Sequence, residues 1–450
     1  MSKNNNIKTD NNVKTQDLPL WNLNEIYNSF EEFNKDLINL EEKINIIQSK
    51  IKKIDDITQI NQTDEQRSKS IDIIQELKEI LELYNNIFEI NRKLNAYLYC
   101  ILACDSTNEQ ATKYQGKLMT ISSLIKTIQT KIEKIIYQNK NWILNEPELQ
   151  DYEYYIQRAL KDFEHKMDLK EEELYNLVSI SSNYEWKSLY DLIITNIKVN
   201  FENQELSISQ LRNLYHHKDR DIRKKAYELE INKLEEYQHI FAKILNSIKW
   251  DSLIIANKRK FNSLLEATLF YNRLDKETFD IIINTTFENL SLVRNYFKIK
   301  AKLLNIDKLE WYDIFASIEN NEEKETIISF KEAKELILTS FSNFSPNLSN
   351  LAKEAFENDW IDAKPRVGKS DGGFCIYVSP YKSRILVNYD NSIKSVFTLA
   401  HELGHAFHNY LLSKNLSIYR TSPLILSETA STLSENLLRN YICLLYTSDA

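Results

Sequence analysis

Three long stretches of this chain, Leu37 to Ile60, Ile71 to Cys104 and Tyr114 to Tyr137, repeat apolar residues at steps of three and four, with glutamate and lysine between them. That is the helical period, so each stretch predicts a long amphipathic helix whose apolar stripe seeks a core. Asn145-Glu146-Pro147 interrupts the pattern, because proline lacks an amide proton and bars the residue before it from helical backbone. Further on, Ser329 and Glu332 read as a capping box opening a helix that carries Ala333, Leu336 and Ile337. There is no internal repeat and no linker rich in glycine, proline or serine. The expectation is a mainly α fold.

The period shortens to two in one place. Phe374 to Ser379 reads as a strand, Pro380-Tyr381-Lys382 as a turn, and Arg384 to Asn388 as a second strand, which together predict a hairpin. The chain has only five glycines, and four of them, Gly368, Gly372, Gly373 and Gly404, lie in or close to this region. A sequence so sparing of glycine keeps it where backbone turns sharply or approaches another backbone. An edge strand here could pair with an extended peptide, main chain to main chain, which makes Gly372, Gly373 and Phe374 candidate substrate-binding positions. The other reading is a structural hairpin with ordinary turn glycines.

Directly after the hairpin comes His401-Glu402-Leu403-Gly404-His405, the H-E-x-x-H pattern. On a helix a step of four residues is about 400°, so the two imidazoles stand one turn apart within about 40° and can grip one ion. Glu402 is then placed to hold the water that such an ion polarises. Val396, Leu399, Leu403, Ala406 and Tyr410 fall between roughly 140° and 220° from His401, so the back of this helix is core and the histidine face looks elsewhere. Gly404 flanks that face, where a side chain would crowd whatever approaches.

The third ligand decides the kind of site. A metzincin needs glycine at 408 and histidine at 411, and this chain has His408 and Leu411. His408 lies about 10 Å along the axis from His401, too far for three histidines of one straight helix to close on one ion, so it is read as supporting the site from behind. Two carboxylates remain, Glu428 and Glu435. They are two turns apart on a second helix and share its face, so one can bind metal while the other orients a histidine. Spacing alone does not choose between them.

His401 to His408, then Ser427-Glu428-Thr429-Ala430-Ser431-Thr432 and Glu435-Asn436, resemble the thimet oligopeptidase family of zinc peptidases, in particular its oligoendopeptidase F branch. Trp21-Asn22-Leu23 with Tyr27, Trp360-Ile361-Asp362, Gly368-Lys369 and Thr398-Leu399-Ala400 are similar to the same branch, so the resemblance runs from about Trp21 to Tyr441. It implies one zinc ion per chain on His401, His405 and Glu428, with Glu402 as general base and Glu435 behind a histidine. It also implies a large helical peptidase with a deep substrate channel that admits short unstructured peptides. The implied reaction is hydrolysis by a metal-activated water, with the alternatives of a related zinc exopeptidase or a catalytically impaired helical binding fragment. Where the branch reads Arg-x-Gly-Ala-Tyr this chain reads Ser-Asp-Gly-Gly-Phe, at Ser370 to Phe374, so the resemblance does not carry over the fine substrate preference.

Domain organisation is expected as a polar disordered tail over 1–16, an N-terminal helical region over 17–113, a small family domain over 114–195 and a zinc peptidase domain over 196–442. The last eight residues, from Cys443, resemble the in-frame translation of a transposase adapter used in preparing sequencing libraries, and the natural chain is expected to continue past Ile442. In the family, tyrosine and histidine residues that help hold the oxyanion come from that further segment. The chain as it stands is therefore expected to hold zinc and to catalyse poorly.

Net charge is −8, from 57 basic and 65 acidic residues well mixed along the chain, which argues against a nucleic-acid or membrane-surface partner. Lys218, Arg220, Arg223, Lys224 and Lys225 cluster, and are read as a solvated helix face. Cys100, Cys104, Cys375 and Cys443 fit a reduced cytoplasm better than a disulfide scaffold, and Cys100 with Cys104 shares a helix face explained by packing. No stretch approaches the apolar length of a membrane span.

Overall fold

The computed structural model describes residues 18–59, 66–144, 146–316, 318, 327–366 and 368–448. The tail expected over 1–16 lies outside these residues, as does Asn145 of the predicted break. The three periodic stretches are helices: α1 (Phe30–Gln59), α2 (Gln66–Cys104) and α3 (Glu109–Gln138). Asn108 caps α3 by accepting from the Ala111 amide. Phe33 and Leu37 of α1, Leu77 and Ile80 of α2, and Ile132 and Ile136 of α3 are fully buried in one shared core. Pro147 opens a short 3-10 turn, Pro147–Tyr152, where the helical pattern was expected to break. Around it stand α4 (Lys140–Ile143), α5 (Glu153–Glu164) and α6 (Leu169–Ser179); a π-helical turn, Ile180–Tyr184, then leads into α7 (Glu185–Asn196).

A second group of elements follows. Strands β1 (Lys198–Phe201) and β2 (Gln204–Ser207) pair antiparallel across Glu202 and Asn203, both at positive φ. Ser207 and Gln210 form a capping box for α8 (Ile208–Asn213). After it come α9 (Arg220–Glu235), α10 (Gln238–Lys258), α11 (Leu264–Asn272), α12 (Lys276–Glu288) and α13 (Leu290–Leu303). The basic cluster read as a solvated face is only partly so. Arg223 is buried, and Arg220 and Arg223 both hold the fully buried Asp313 at 2.9 Å, whereas Lys225 pairs at the surface with Glu202. A carboxylate taken out of water needs such partners, and Asp313 recruits the two arginines as internal ties.

The remaining elements are α14 (Phe330–Phe344), α15 (Pro346–Glu357), β3 (Ile361–Asp362), β4 (Phe374–Ser379), β5 (Lys382–Leu386), α16 (Ile393–Leu412) and α17 (Leu424–Ser448). The predicted capping box stands at the start of α14, where Ser329 accepts from Glu332 and the Glu332 side chain accepts in return. The predicted hairpin is β4 and β5, but its second strand starts two residues earlier than expected. Pairing runs on to Ser379 opposite Lys382, and Tyr381 turns the corner at φ 65°, so two residues suffice for the loop. In the three-stranded sheet β5 is central, with β3 parallel on one side and β4 antiparallel on the other, which leaves β4 at an edge.

This small sheet is the hub of the molecule. Ile376 and Val378 of β4 pack into the core of α1 to α3, while Cys375 and Ile385 pack on the opposite side with the back of α16. Alternate side chains of one strand thus join two cores. The second core contains Trp360, Ile361, Val387 and Tyr389 together with Val396, Leu399 and Leu403 of α16 and Leu438 of α17. The fold is mainly α, with a small sheet beside the H-E-x-x-H helix. No helix among the described residues is long and apolar enough to cross a membrane.

Candidate metal centre

Helix α16 begins at Ser392, whose hydroxyl accepts from the Ser395 amide. Its apolar back, Val396, Leu399, Leu403 and Ala406, is buried as the helical period predicts. His401 and His405 stand one turn apart on the other face, their ring centroids separated by 5.0 Å. What brings the distant carboxylate to them is the close approach of α17. A Cβ at Gly404 would lie 2.7 Å from Ser434 Oγ and 2.8 Å from both the Ala430 carbonyl oxygen and Ser431 Cα, so only glycine lets the two backbones meet here.

Across that contact Glu428 Oε2 lies 3.3 Å from His401 Nε2 and 3.7 Å from His405 Nε2. One ligand atom from each of the three residues falls within 4.8 Å of the others. Tetrahedral zinc with bonds of about 2.0–2.2 Å sets its ligand atoms about 3.3–3.6 Å apart, so this cradle fits such an ion with small adjustment. Burial holds the His405 imidazole below its usual pKa, which favours the neutral form a ligand must have, and Glu428 opposes that shift.

Neighbours orient the three groups. Glu435 Oε2 lies 3.5 Å from His401 Nδ1, the ring nitrogen facing away from the cradle, and Arg439 holds Glu435 from the far side at 2.8 Å. Ser431 donates to Glu428 Oε2 at 3.0 Å. Sequence reasoning reached Glu435 but not Ser431 or Arg439. The signal was present, since Ser431 lies three residues after Glu428 and Arg439 four after Glu435, each on the face of the group it serves. His408 is half-buried one turn beyond His405 and is not among the cradle residues; burial lowers its pKa too.

Glu402 is the odd group of the site. It is 5% exposed, while Glu428 keeps 46% of its side chain open. Its Oε2 has no hydrogen-bond partner among the described residues. Burial, with the charge of Glu428 adding to it, pushes the carboxyl up to about 8. A cation in the cradle would act against both causes. A buried carboxyl raised in this way can take up and release a proton near neutral pH.

Of the candidate substrate-binding positions, Gly373 sits beside Glu402. Gly372 has φ +79°, and a Cβ on Gly373 would stand 3.1 Å from Glu402 Oε1. The Phe374 ring turns the other way, against Tyr99 at 4.8 Å and Trp21 at 6.1 Å between centroids, as strand alternation requires when Cys375 faces α16. Any dealing of Phe374 with a peptide at Glu402 falls to its main chain.

Comparison with known proteins follows the same lines. Residues 213–450 match the description "Peptidase family M3" and residues 138–198 match "Oligopeptidase F". An oligoendopeptidase F homolog from Borreliella burgdorferi is 28% identical over 81% of this chain and 63% of its own length. One from Lactococcus lactis subsp. lactis is 26% identical over 93% of this chain and 69% of its own. Oligopeptidase PepF from Bacillus subtilis is 25% identical over 98% of this chain and 64% of its own. The chain thus spans about two thirds of the length of these relatives. Among solved structures, PZ peptidase A superposes with TM-score 0.71 at 17% identity, covering 92% of this chain and 70% of that one. Oligoendopeptidase-F from Enterococcus faecium gives 0.55 at 19%, covering 91% and 68%. With the family match spanning more than half of its residues and the two-histidine, one-glutamate cradle inside that match, the chain belongs to peptidase family M3.

Proposed function

We propose that this protein is a zinc-dependent endopeptidase that hydrolyses short, unstructured oligopeptides. The observation that carries the reading is Glu428 Oε2 within 3.3 and 3.7 Å of two imidazole nitrogens, with the buried Glu402 next to them in the chain. His401, His405 and Glu428 would hold the ion, which supplies Lewis acidity and a water of lowered pKa. Glu402 would take a proton from the attacking water as its oxygen bonds the peptide carbonyl carbon, and return it to the amine nitrogen as the C–N bond breaks, so no covalent intermediate on the protein is needed. Glu435 keeps the His401 ring turned toward the cradle, and His408 backs the helix behind it.

The sheet edge formed by β4, with Gly372, Gly373 and the main chain of Phe374, is the proposed seat of an extended peptide. Such pairing reads extension more than sequence, and the site is proposed to lie in a deep channel that excludes folded proteins. On this reading 114–195 is the small family domain and 196–442 the catalytic one, preceded by the helical region 17–113. Four cysteines without a scaffold pattern support a cytoplasmic setting, with no nucleic acid or membrane as partner.

The test combines metal analysis of the purified chain with digestion of a peptide blocked at both ends. One equivalent of zinc and internal cleavage are expected. Cleavage only of unblocked termini would make it a zinc exopeptidase, and zinc without any turnover would make this chain an impaired binding fragment. A chain that takes up no divalent metal would sink the reading.

A further inference from the structure

Nothing in Glu402's own helix explains what keeps its carboxylate in place. Oε2 lacks a hydrogen-bond partner among the described residues, and a Cβ on Gly373 would stand 3.1 Å from both Glu402 Oε1 and Thr398 Cγ2, so the Gly373 backbone lies beside the carboxylate with no room for a side chain between. That backbone belongs to a turn with Gly372 at φ +79°, and two adjacent glycines are the softest dipeptide a chain can place there. The stiffness must come from outside the turn.

It comes from Asn388, two residues past β5. The Asn388 side-chain amide donates to the Ser370 carbonyl at 2.9 Å and to the Gly372 carbonyl at 3.2 Å, which spans the turn with one group. The base of the loop is tied separately. Lys369 Nζ is buried among the Asp362 carboxylate, the Lys364 carbonyl and the Val387 carbonyl, and the Ser370 amide donates to the Ala103 carbonyl of α2 at 2.7 Å. Lys369 therefore fixes where the loop starts, Ser209 donates to the Asp371 carboxylate at 2.8 Å, Phe374 pairs with Leu386 on the far side of Gly373, and Asn388 holds the Gly372 carbonyl between them.

We propose that Asn388 is a positioning residue for Glu402: by holding the carbonyls of Ser370 and Gly372 it presses the Gly373 backbone against the carboxylate and confines it to one rotamer. The inference rests on the reading of Glu402 as general base for its kinetic consequence, but not for its structural one. A base displaced by about 1 Å can lose up to about 10²-fold in rate.

The test uses Asn388→Asp, which keeps shape but sets a carboxylate oxygen against two carbonyls, and Gly373→Ala, whose methyl would press on Glu402 in the intact turn. Each is expected to lower kcat for peptide cleavage by about 10- to 10²-fold with KM and zinc affinity unchanged. In the double variant the released turn accommodates the methyl, so the combined loss should fall well short of the product of the two. A multiplicative double variant, or a loss confined to KM, would overturn the proposal. A crystal structure of Asn388→Asp gives an answer that needs no turnover. Gly373 displaced and Glu402 in a second rotamer are expected; Glu402 unmoved sinks the positioning role. Failure of the peptidase reading itself would show instead as wild-type chain without zinc or cleavage, with this structural outcome still deciding the role of Asn388.

Discussion

Helices α16 and α17 and helices α12 and α13 are both pairs of consecutive helices carrying large apolar residues, yet they end in opposite states. α16 buries a continuous back and presses its glycine face into α17. α12 buries no residue, and α13 buries only Lys300 and Ala301, leaving Phe287 67% and Leu292 64% exposed. Apolar content is therefore not what separates them. Burial requires a matching surface at contact distance, and among the described residues only the first pair has one, supplied by the sheet on one side and by the gap at Gly404 on the other. Chemistry follows packing, because a cradle of three side chains from two helices keeps its spacing only where the helices cannot slide.

The largest effect that would separate the two regions is loss of the Glu402 carboxylate, the proposed general base. Glu402→Gln should retain zinc and lose about 10²–10⁴-fold in kcat, read by steady-state cleavage beside metal analysis. Retained turnover would remove Glu402 from that role. Next, metal titration should find Glu428→Ala unable to hold the ion, while Glu435→Ala weakens it by about 10–100-fold; the reverse ranking would reassign the ligand. Leu403→Ala, in the packed back of α16, should cost about 2–5 kcal/mol by urea denaturation.

Gly404→Ala follows, at about 1–3 kcal/mol, since the methyl meets backbone of α17 that cannot step aside cheaply. Zinc affinity should drop with it, and an unchanged affinity would mean that the approach of α17 does not set the cradle. The smallest effect belongs to the other pair. Phe287→Ser on α12 should shift stability by no more than about 0.5 kcal/mol. A loss as large as that of Leu403→Ala would show the face of α12 to be covered in solution and would dissolve the contrast.

Several elements were legible before any coordinates. Three-and-four periodicity located α1, α2 and α3, the serine and glutamate at 329 and 332 located the start of α14, and period two located β4. All three are local patterns, carried by residues within a turn or two of one another. The bounds of β5 were missed by two residues at each end, because pairing with β4 and a bulge near Tyr377 decide them rather than its own composition. The burial of Arg223 was missed for a related reason, since its partner Asp313 lies far along the chain.

The site divides in the same way. His401, Glu402 and His405 were fixed relative to one another by helical geometry, and the glutamate pair two turns apart by the same rule, so sequence by itself determined which side chains could meet a metal. Spacing left Glu428 and Glu435 open and only the family resemblance pointed to Glu428; how close α17 comes and what walls in Glu402 were decided by tertiary structure. The reason is physical: helical periodicity sets angles within one element, whereas the distance between two elements is the outcome of every side chain packed between them, here a missing Cβ at Gly404 and a clamped turn at Gly373.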